Sequence, residues 1–171
     1  MSGRSGPNPR GVTTRVQAPL LDRLIDDAPD QERDPSLSAA DSMVALRVSV
    51  RRDLEALLNA RRRWRSVPPR MPQLATSPLS YGVPDFASGA FNDARRREEL
   101  RVEIEDTIRR FEPRFLSVRV QLVDSKERLE TTLRLRIEAV MHAEPAPETV
   151  TFDTLVDPTT DDITVRPGNV V

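Results

Sequence analysis

The sequence predicts an α+β fold in which N-terminal helices pack on a C-terminal, mainly antiparallel sheet of three to four strands. Three observations carry this. Leu100, Ile104, Ile108 and Phe111 recur at helical spacing. Pro113 then stops the helix, because proline lacks an amide hydrogen and crowds the preceding turn. From residue 116 the pattern changes to alternation, with Leu116, Val118, Val120 and Leu122 on one face and Ser117, Arg119 and Gln121 on the other. The change falls at Glu112-Pro113-Arg114. A residue before proline is driven toward extended geometry, so the sequence predicts a fixed corner that holds an acid and an arginine.

The bulk composition narrows the class. A chain of 171 residues suits one ordinary domain with tails. Charged residues make up 31% while the net charge is only -1, which argues against both a wholly disordered chain and a strongly basic nucleic-acid binder. The charge is unevenly placed: Arg47, Arg51, Arg52, Arg61, Arg62, Arg63, Arg65 and Arg70 crowd the first part, and Glu144, Glu148, Asp153, Asp157, Asp161 and Asp162 the last. An electrically polar molecule is expected. Cysteine is absent, which excludes disulfides and thiolate metal sites and fits a reducing compartment. With no apolar run of about 18 residues and no apolar stretch behind the N-terminal arginines, neither a membrane span nor a signal peptide is expected, and the setting is read as cytoplasmic.

Residues 1–19 mix glycine, proline and arginine without apolar periodicity and are expected to be a disordered leader. Residues 20–37 form a short helix and a linker. Leu20, Leu21, Leu24 and Ile25 make one helical face, and because isolated helices below about 12 residues are unstable in water, this one has to dock. The domain proper is expected over 38–167, with 168–171 as a tail. Ser38, followed by Asp41, is an N-cap with an acidic first turn. Met43, Leu46, Val50, Leu54, Leu57 and Leu58 form the apolar face behind it, and Asn59 is the expected terminator. Arg61, Arg62, Arg63 and Arg65 then surround Trp64. Such a cluster either stacks bases and grips phosphates, or is a solvated helix end with Trp64 folded onto the core.

Residues 66–93 carry Pro68, Pro69, Pro72, Pro78 and Pro84 with Gly82 and Gly89, so a long connection without a long regular element is expected. Its part 77–86 is predicted to be an ordered structural loop built on Tyr81, Gly82, Pro84 and Asp85. Gly82 accepts a positive φ and Pro84 fixes the next one, which gathers Tyr81 and Phe86 into a local cluster. Asn92 or Asp93 caps the following helix, against whose dipole Arg95, Arg96 and Arg97 act. Glu98, Glu99, Glu103 and Glu105, interleaved with arginines, mark its solvated outer face, and Arg109 and Arg110 suit its C-terminus. Strands are predicted over 116–123, 129–141 and 149–156, with a short last one around Ile163 and Val165. Leu129, Thr131, Leu133, Leu135, Ile137, Ala139 and Met141 share the inner face of the second, and Val150, Phe152 and Val156 point inward from the third.

Chemistry is sparse. His142 is the only histidine, and no glycine-rich phosphate loop occurs, so no catalytic residue, cofactor or metal ligand is assigned. A two-carboxylate glycosidase could be assembled from Glu112 and another acid, but any sequence this rich in acids offers such pairs, and Arg114 nearby favours the ionised form, the wrong direction for a general acid. Glu112 and Arg114 are expected to make hydrogen bonds instead. Either they stay inside the chain, Glu112 with one of the many arginines and Arg114 with a helix-end carbonyl, or they anchor an interface.

The 77–86 loop, the helix ending in Arg109-Arg110-Phe111-Glu112-Pro113-Arg114, and the Phe152-Asp153 and Val156-Asp157-Pro158 ending carry a resemblance. So do the opening Leu20-Leu21-Asp22-Arg23-Leu24 and the helix through Arg52-Asp53-Leu54-Glu55. Together these residues, spanning about 20–167, resemble the baseplate wedge family of contractile injection machines, and most closely its type VI secretion branch, TssE. The resemblance implies a substrate-free α+β domain in a cytoplasmic, membrane-docked baseplate on which a contractile sheath is built. It implies that Glu112, Pro113 and Arg114 join the wedge subunits, of TssF, TssG and TssK types, and that sheath subunits of TssB and TssC types are further partners. It also implies that residues 129–166 offer or accept a strand at the sheath base, which fits an open sheet edge. The turn at 158–162 lacks the glycine common there. Two other functions stay open at this point: a peptidoglycan hydrolase, from a lysozyme label the family has carried, and a nucleic-acid binder through Arg61 to Arg65.

Overall fold

Ser38 begins the first helix as its sequence requires. Its Oγ accepts the Asp41 N–H at 3.1 Å and donates to the Asp41 carboxylate at 2.6 Å, so one of the unpaired first-turn amides is satisfied. The helix, α1, runs Ala39–Asn59. Leu46, Val50, Leu54, Leu57 and Leu58 are buried and Met43 packs against them, which is the face the periodicity predicts. The computed structural model describes residues 38–62, 67–85, 93–123, 133–143, 146–157, 160 and 162–168, together with residues 22, 24 and 30. The expected leader, Leu20, Leu21 and Ile25, Arg63 to Arg65 with Trp64, Phe86, Gly89, Asn92, the 124–132 turn and strand start, Pro158 and residues 169–171 lie outside the described residues. Asp22 and Leu24 are helical, as expected.

After α1 come a two-residue strand β1 (Arg61–Arg62), two short 3-10 helices at Pro72–Thr76 and Pro78–Ser80, and a second short strand β2 (Val83–Pro84). β1 and β2 pair in parallel, Arg61 with Val83 and Arg62 with Pro84. This pairing is not legible in the sequence, and it corrects the solvated helix end expected at Arg61 and Arg62. Arg62 is 7% exposed and bonds Glu103. Helix α2 spans Ala94–Phe111, with the Asp93 carboxylate accepting the Arg95 N–H at 2.9 Å. Leu100, Ile104 and Ile108 are buried, and Phe111 packs against the core.

Four strands follow: β3 (Phe115–Val123), β4 (Leu133–Met141), β5 (Glu148–Val156) and β6 (Ile163–Pro167), antiparallel and in that order across the sheet. The inner faces of β4 and β5 carry the predicted residues, and Thr154 joins them by donating its hydroxyl to the Leu135 carbonyl at 3.1 Å. β3 departs from prediction at Leu116, which is 57% exposed. Phe115 lies opposite Met141 and Ser117 opposite Val140, so Leu116 is the extra residue of a bulge. The bulge shifts the phase by one, turning Phe115 toward the core and Leu116 away from it. Side chains of α1, α2 and the sheet's inner face share one apolar cluster, which makes the two-layer α+β arrangement.

The outer face predicted for α2 needs correction at two glutamates. Glu103 holds Arg62, and Glu105 Oε2 accepts the Val120 N–H at 3.0 Å. Burial works against the Glu105 charge, but that amide, Arg109 and Arg101 outweigh it and hold its carboxyl below the usual range. A carboxyl lowered in the folded state contributes stability above its unfolded pKa, about 4.3, and loses it as pH falls through the lower folded value. Glu105→Gln is therefore expected to flatten the fall of the urea midpoint below about pH 4.5. Parallel wild-type and variant curves in that range would uncouple Glu105 from acid unfolding.

Candidate functional site

The helix-to-strand corner is built from both sides of Pro113. The Glu112 N–H still donates to Ile108 O at 2.8 Å, and the Phe115 N–H returns to Glu112 O at 3.2 Å, so the turn is closed by main-chain bonds. The Arg114 carbonyl accepts the His142 N–H at 2.7 Å, which ties the corner to the end of β4. Glu112 is only 5% exposed, an unusual burial for a carboxylate unless it is paired. Its partner is Arg114. Arg114 Nε donates to Glu112 Oε1 at 2.6 Å, Nη2 donates to Oε2, and the Arg114 backbone N–H adds a bond to Oε1 at 3.2 Å. This two-pronged guanidinium–carboxylate geometry is the strong form of the ion pair. Glu112 thus takes an arginine within the chain, as the intrachain reading expects, but among the described residues Arg114 bonds Glu112, Asp53 and Ser49 rather than a helix-end carbonyl.

Arg114 also reaches α1. Its Nη2 donates to Asp53 Oδ2 at 2.8 Å, and its Nη1 lies 3.5 Å from Ser49 Oγ. Asp53 Oδ1 accepts from Arg52 at 3.1 and 3.2 Å, and Arg52 Nη2 donates to Asp22 Oδ1 at 2.7 Å. Charges thus alternate along Asp22, Arg52, Asp53, Arg114 and Glu112. Burial opposes the charge on Arg114, but Glu112 and Asp53 outweigh it and raise its pKa. A hydrogen bond from Ser49, against some burial, and the nearby Arg52 lower the Asp22 carboxyl. The sequence reading did not single out Ser49, Asp53 or Asp22 for this corner. The available signal was Ser49 and Asp53 four residues apart, polar positions interrupting the flank of an apolar helix.

A cleft of about 360 Å³ opens beside the pair, lined by Asp53, Leu57, Tyr81, Phe111, Glu112, Pro113 and Arg114. Tyr81 arrives from the long connection. Its ring meets Phe111 edge to face, with centroids 5.4 Å apart and planes at 73°, so Phe111 is its aromatic partner among the described residues; the expected partner Phe86 lies outside them. Gly82 has the predicted positive φ, 98°, and lets the connection press on the end of α1, where the Val83 N–H donates to Ala60 O at 2.9 Å. Pro84 is buried in β2 and Asp85 is exposed. Burial, and then the negative charges of Asp53 and Glu112, raise the Tyr81 hydroxyl pKa, keeping it a proton donor at neutral pH.

Among the described residues no three His, Asp or Glu side chains are placed to hold a metal ion. No described helix is long and apolar enough to cross a membrane. Arg61 donates to Leu58 O at 3.2 Å, so the arginine cluster, as far as it is described, is partly committed to the chain's own main chain and to Glu103. A family model described as baseplate wedge protein gp25 matches residues 44–146, a stretch that contains α1 from residue 44 onward, the long connection, α2, the corner, β3 and β4. Comparison with the curated proteins gives no match.

Proposed function

The chain belongs to the gp25 family of baseplate wedge proteins, and from that premise we propose that it is the TssE-type wedge component of a type VI secretion baseplate. Its structural role in a baseplate follows from the family. The finer reading is that it joins wedge subunits of TssF, TssG and TssK types and supports sheath subunits of TssB and TssC types, in the cytoplasm against a membrane-docked machine. The observation that carries this reading is the cleft at the corner, where the Glu112–Arg114 clamp closes across Pro113 and Tyr81 packs edge to face on Phe111 at the wall. A rigid rim with one partly exposed aromatic and one partly exposed arginine is the kind of surface that anchors a protein partner. Glu112 organises that surface from beneath. Because Arg114 engages both of its oxygens, Glu112 is not positioned to protonate a glycosidic oxygen, which weighs against the hydrolase alternative.

The test is isolation of the tagged full chain from the bacterium that makes it, with wild type beside Tyr81→Ala. Wild type is expected to bring wedge and sheath subunits, and the variant to recover them at least roughly tenfold less well while remaining folded. Absence of those subunits from the wild-type sample would sink the assembly reading. Full recovery by Tyr81→Ala would move the joint away from this cleft.

A further inference from the structure

Helix side chains take main-chain groups on both edges of the four-stranded sheet, two residues of β6 and one of β3. Asp157 N–H donates to Asp162 O and Gly168 N–H to Thr151 O, which places the even-numbered positions of β6 toward β5 and leaves Ile163, Val165 and Pro167 facing outward. Asn59 Nδ2 donates to Ile163 O at 2.8 Å, and Asn59 Oδ1 accepts the Ile163 N–H at 2.8 Å. Arg51 Nη1 donates to Val165 O at 3.2 Å, and Glu55 Oε2 accepts the Val165 N–H at 3.2 Å. Pro167 has no N–H to offer. Arg51, Glu55 and Asn59 are four residues apart, one column on the flank of α1. On the opposite edge α2 repeats the device once: Arg101 Nη1 donates to Val120 O at 3.1 Å and Glu105 accepts the Val120 N–H at 3.0 Å.

Taking both main-chain groups of one residue is what a neighbouring antiparallel strand does at a hydrogen-bonded pair. Asn59 does it alone, because a carboxamide carries the donor and acceptor of a peptide group. We propose that β6 is a covered strand-pairing surface, and that the Arg51–Glu55–Asn59 column is the cover that keeps it from the β6 edge of a second copy of this chain. Ile163 and Val165 present their donors and acceptors at a two-residue repeat, and once the side-chain cover is removed an antiparallel second β6, which carries the same repeat, can pair with them. The open edge implied for residues 129–166 is therefore absent at β6. A strand can enter there only by replacing side-chain bonds with main-chain ones.

The experiment compares the full chain with Glu55→Ala/Asn59→Ala, which removes the acceptors of both outward amides. In dilute solution the Ile163 and Val165 amides are expected to exchange at least roughly tenfold faster than in wild type, with the central β4 amides unchanged. Raising the concentration should then produce faster-sedimenting species and restore protection at those two amides, while wild type sediments unchanged. Freed amides without association, or amides that stay protected, would overturn the proposal. Should the β4 amides lose protection as well, Glu55→Gln, which keeps the side chain's shape, carries the test: faster Val165 exchange with concentration-dependent association supports the cover, and wild-type behaviour in either overturns it.

Discussion

Arg114→Ala lowers the stability of the chain by about 3 kcal/mol, and Glu112→Ala by about 2 kcal/mol, as the expected result of breaking a largely buried ion pair from either side. The order follows from burial. Without Arg114 the Glu112 carboxylate, 5% exposed in the intact corner, loses the guanidinium from both of its oxygens. Without Glu112 the Arg114 guanidinium keeps Asp53 at 2.8 Å and is itself partly open to water. The double variant should cost less than the sum of the two, because each single change already forfeits the shared bonds. Urea midpoints at unchanged slope give the three numbers. Two single variants within about 0.5 kcal/mol of wild type would mean that the pair does not hold the corner. The result also governs how assembly defects are read: loss of partners on changing Glu112 reports a disturbed corner as much as a lost contact, and Tyr81→Ala is the cleaner probe.

How far the sequence could be read depends on the range of the interaction concerned. Apolar spacing in α1 and α2 and alternation in β4 and β5 are local patterns, and the buried residues are the ones those patterns name. The Ser38 and Asp93 caps and the positive φ of Gly82 are local too, and all are present. What failed involved contacts between distant segments. Nothing in the neighbourhood of Leu116 signals a bulge, since an extra residue is defined only against the partner strand. Glu103, Glu105 and Glu55 look like outer-face charges by spacing alone, yet one pairs with Arg62 across 41 positions, and the other two accept main-chain amides of β3 and β6. The corner was legible as a rigid place that holds an acid and an arginine, because proline acts on its immediate neighbours. Its supports on α1, Ser49 and Asp53, lie 65 and 61 positions from Arg114 and carry no local mark.

Gly82→Ala is the second large effect expected, about 3 kcal/mol or a detached loop, and it separates the loop's contribution to the cleft from that of the ion pair. At φ 98° an L side chain is strained, at a cost of about 1–2 kcal/mol. A Cβ at residue 82 would also stand 2.2 Å from Ala60 O, the same carbonyl that receives the Val83 N–H. That neighbour is backbone at the end of α1, which cannot swing aside as a flexible side chain would. Either the strain stays and the whole chain is less stable, or the connection lifts away and the β1–β2 pairing is lost. In the second case Tyr81 leaves Phe111, while the bonds between Glu112 and Arg114, made within the corner itself, remain. Contacts between the protons of the chain's single tyrosine and Phe111, read by nuclear Overhauser effects, then vanish, whereas in the first case they persist at lowered stability. Persistence of those contacts at wild-type stability would show that the loop tolerates a side chain at residue 82. If the contacts vanish and wedge partners are lost with the ion pair intact, partner binding rests on the aromatic wall of the cleft; if partners are retained, it rests on Pro113 and Arg114.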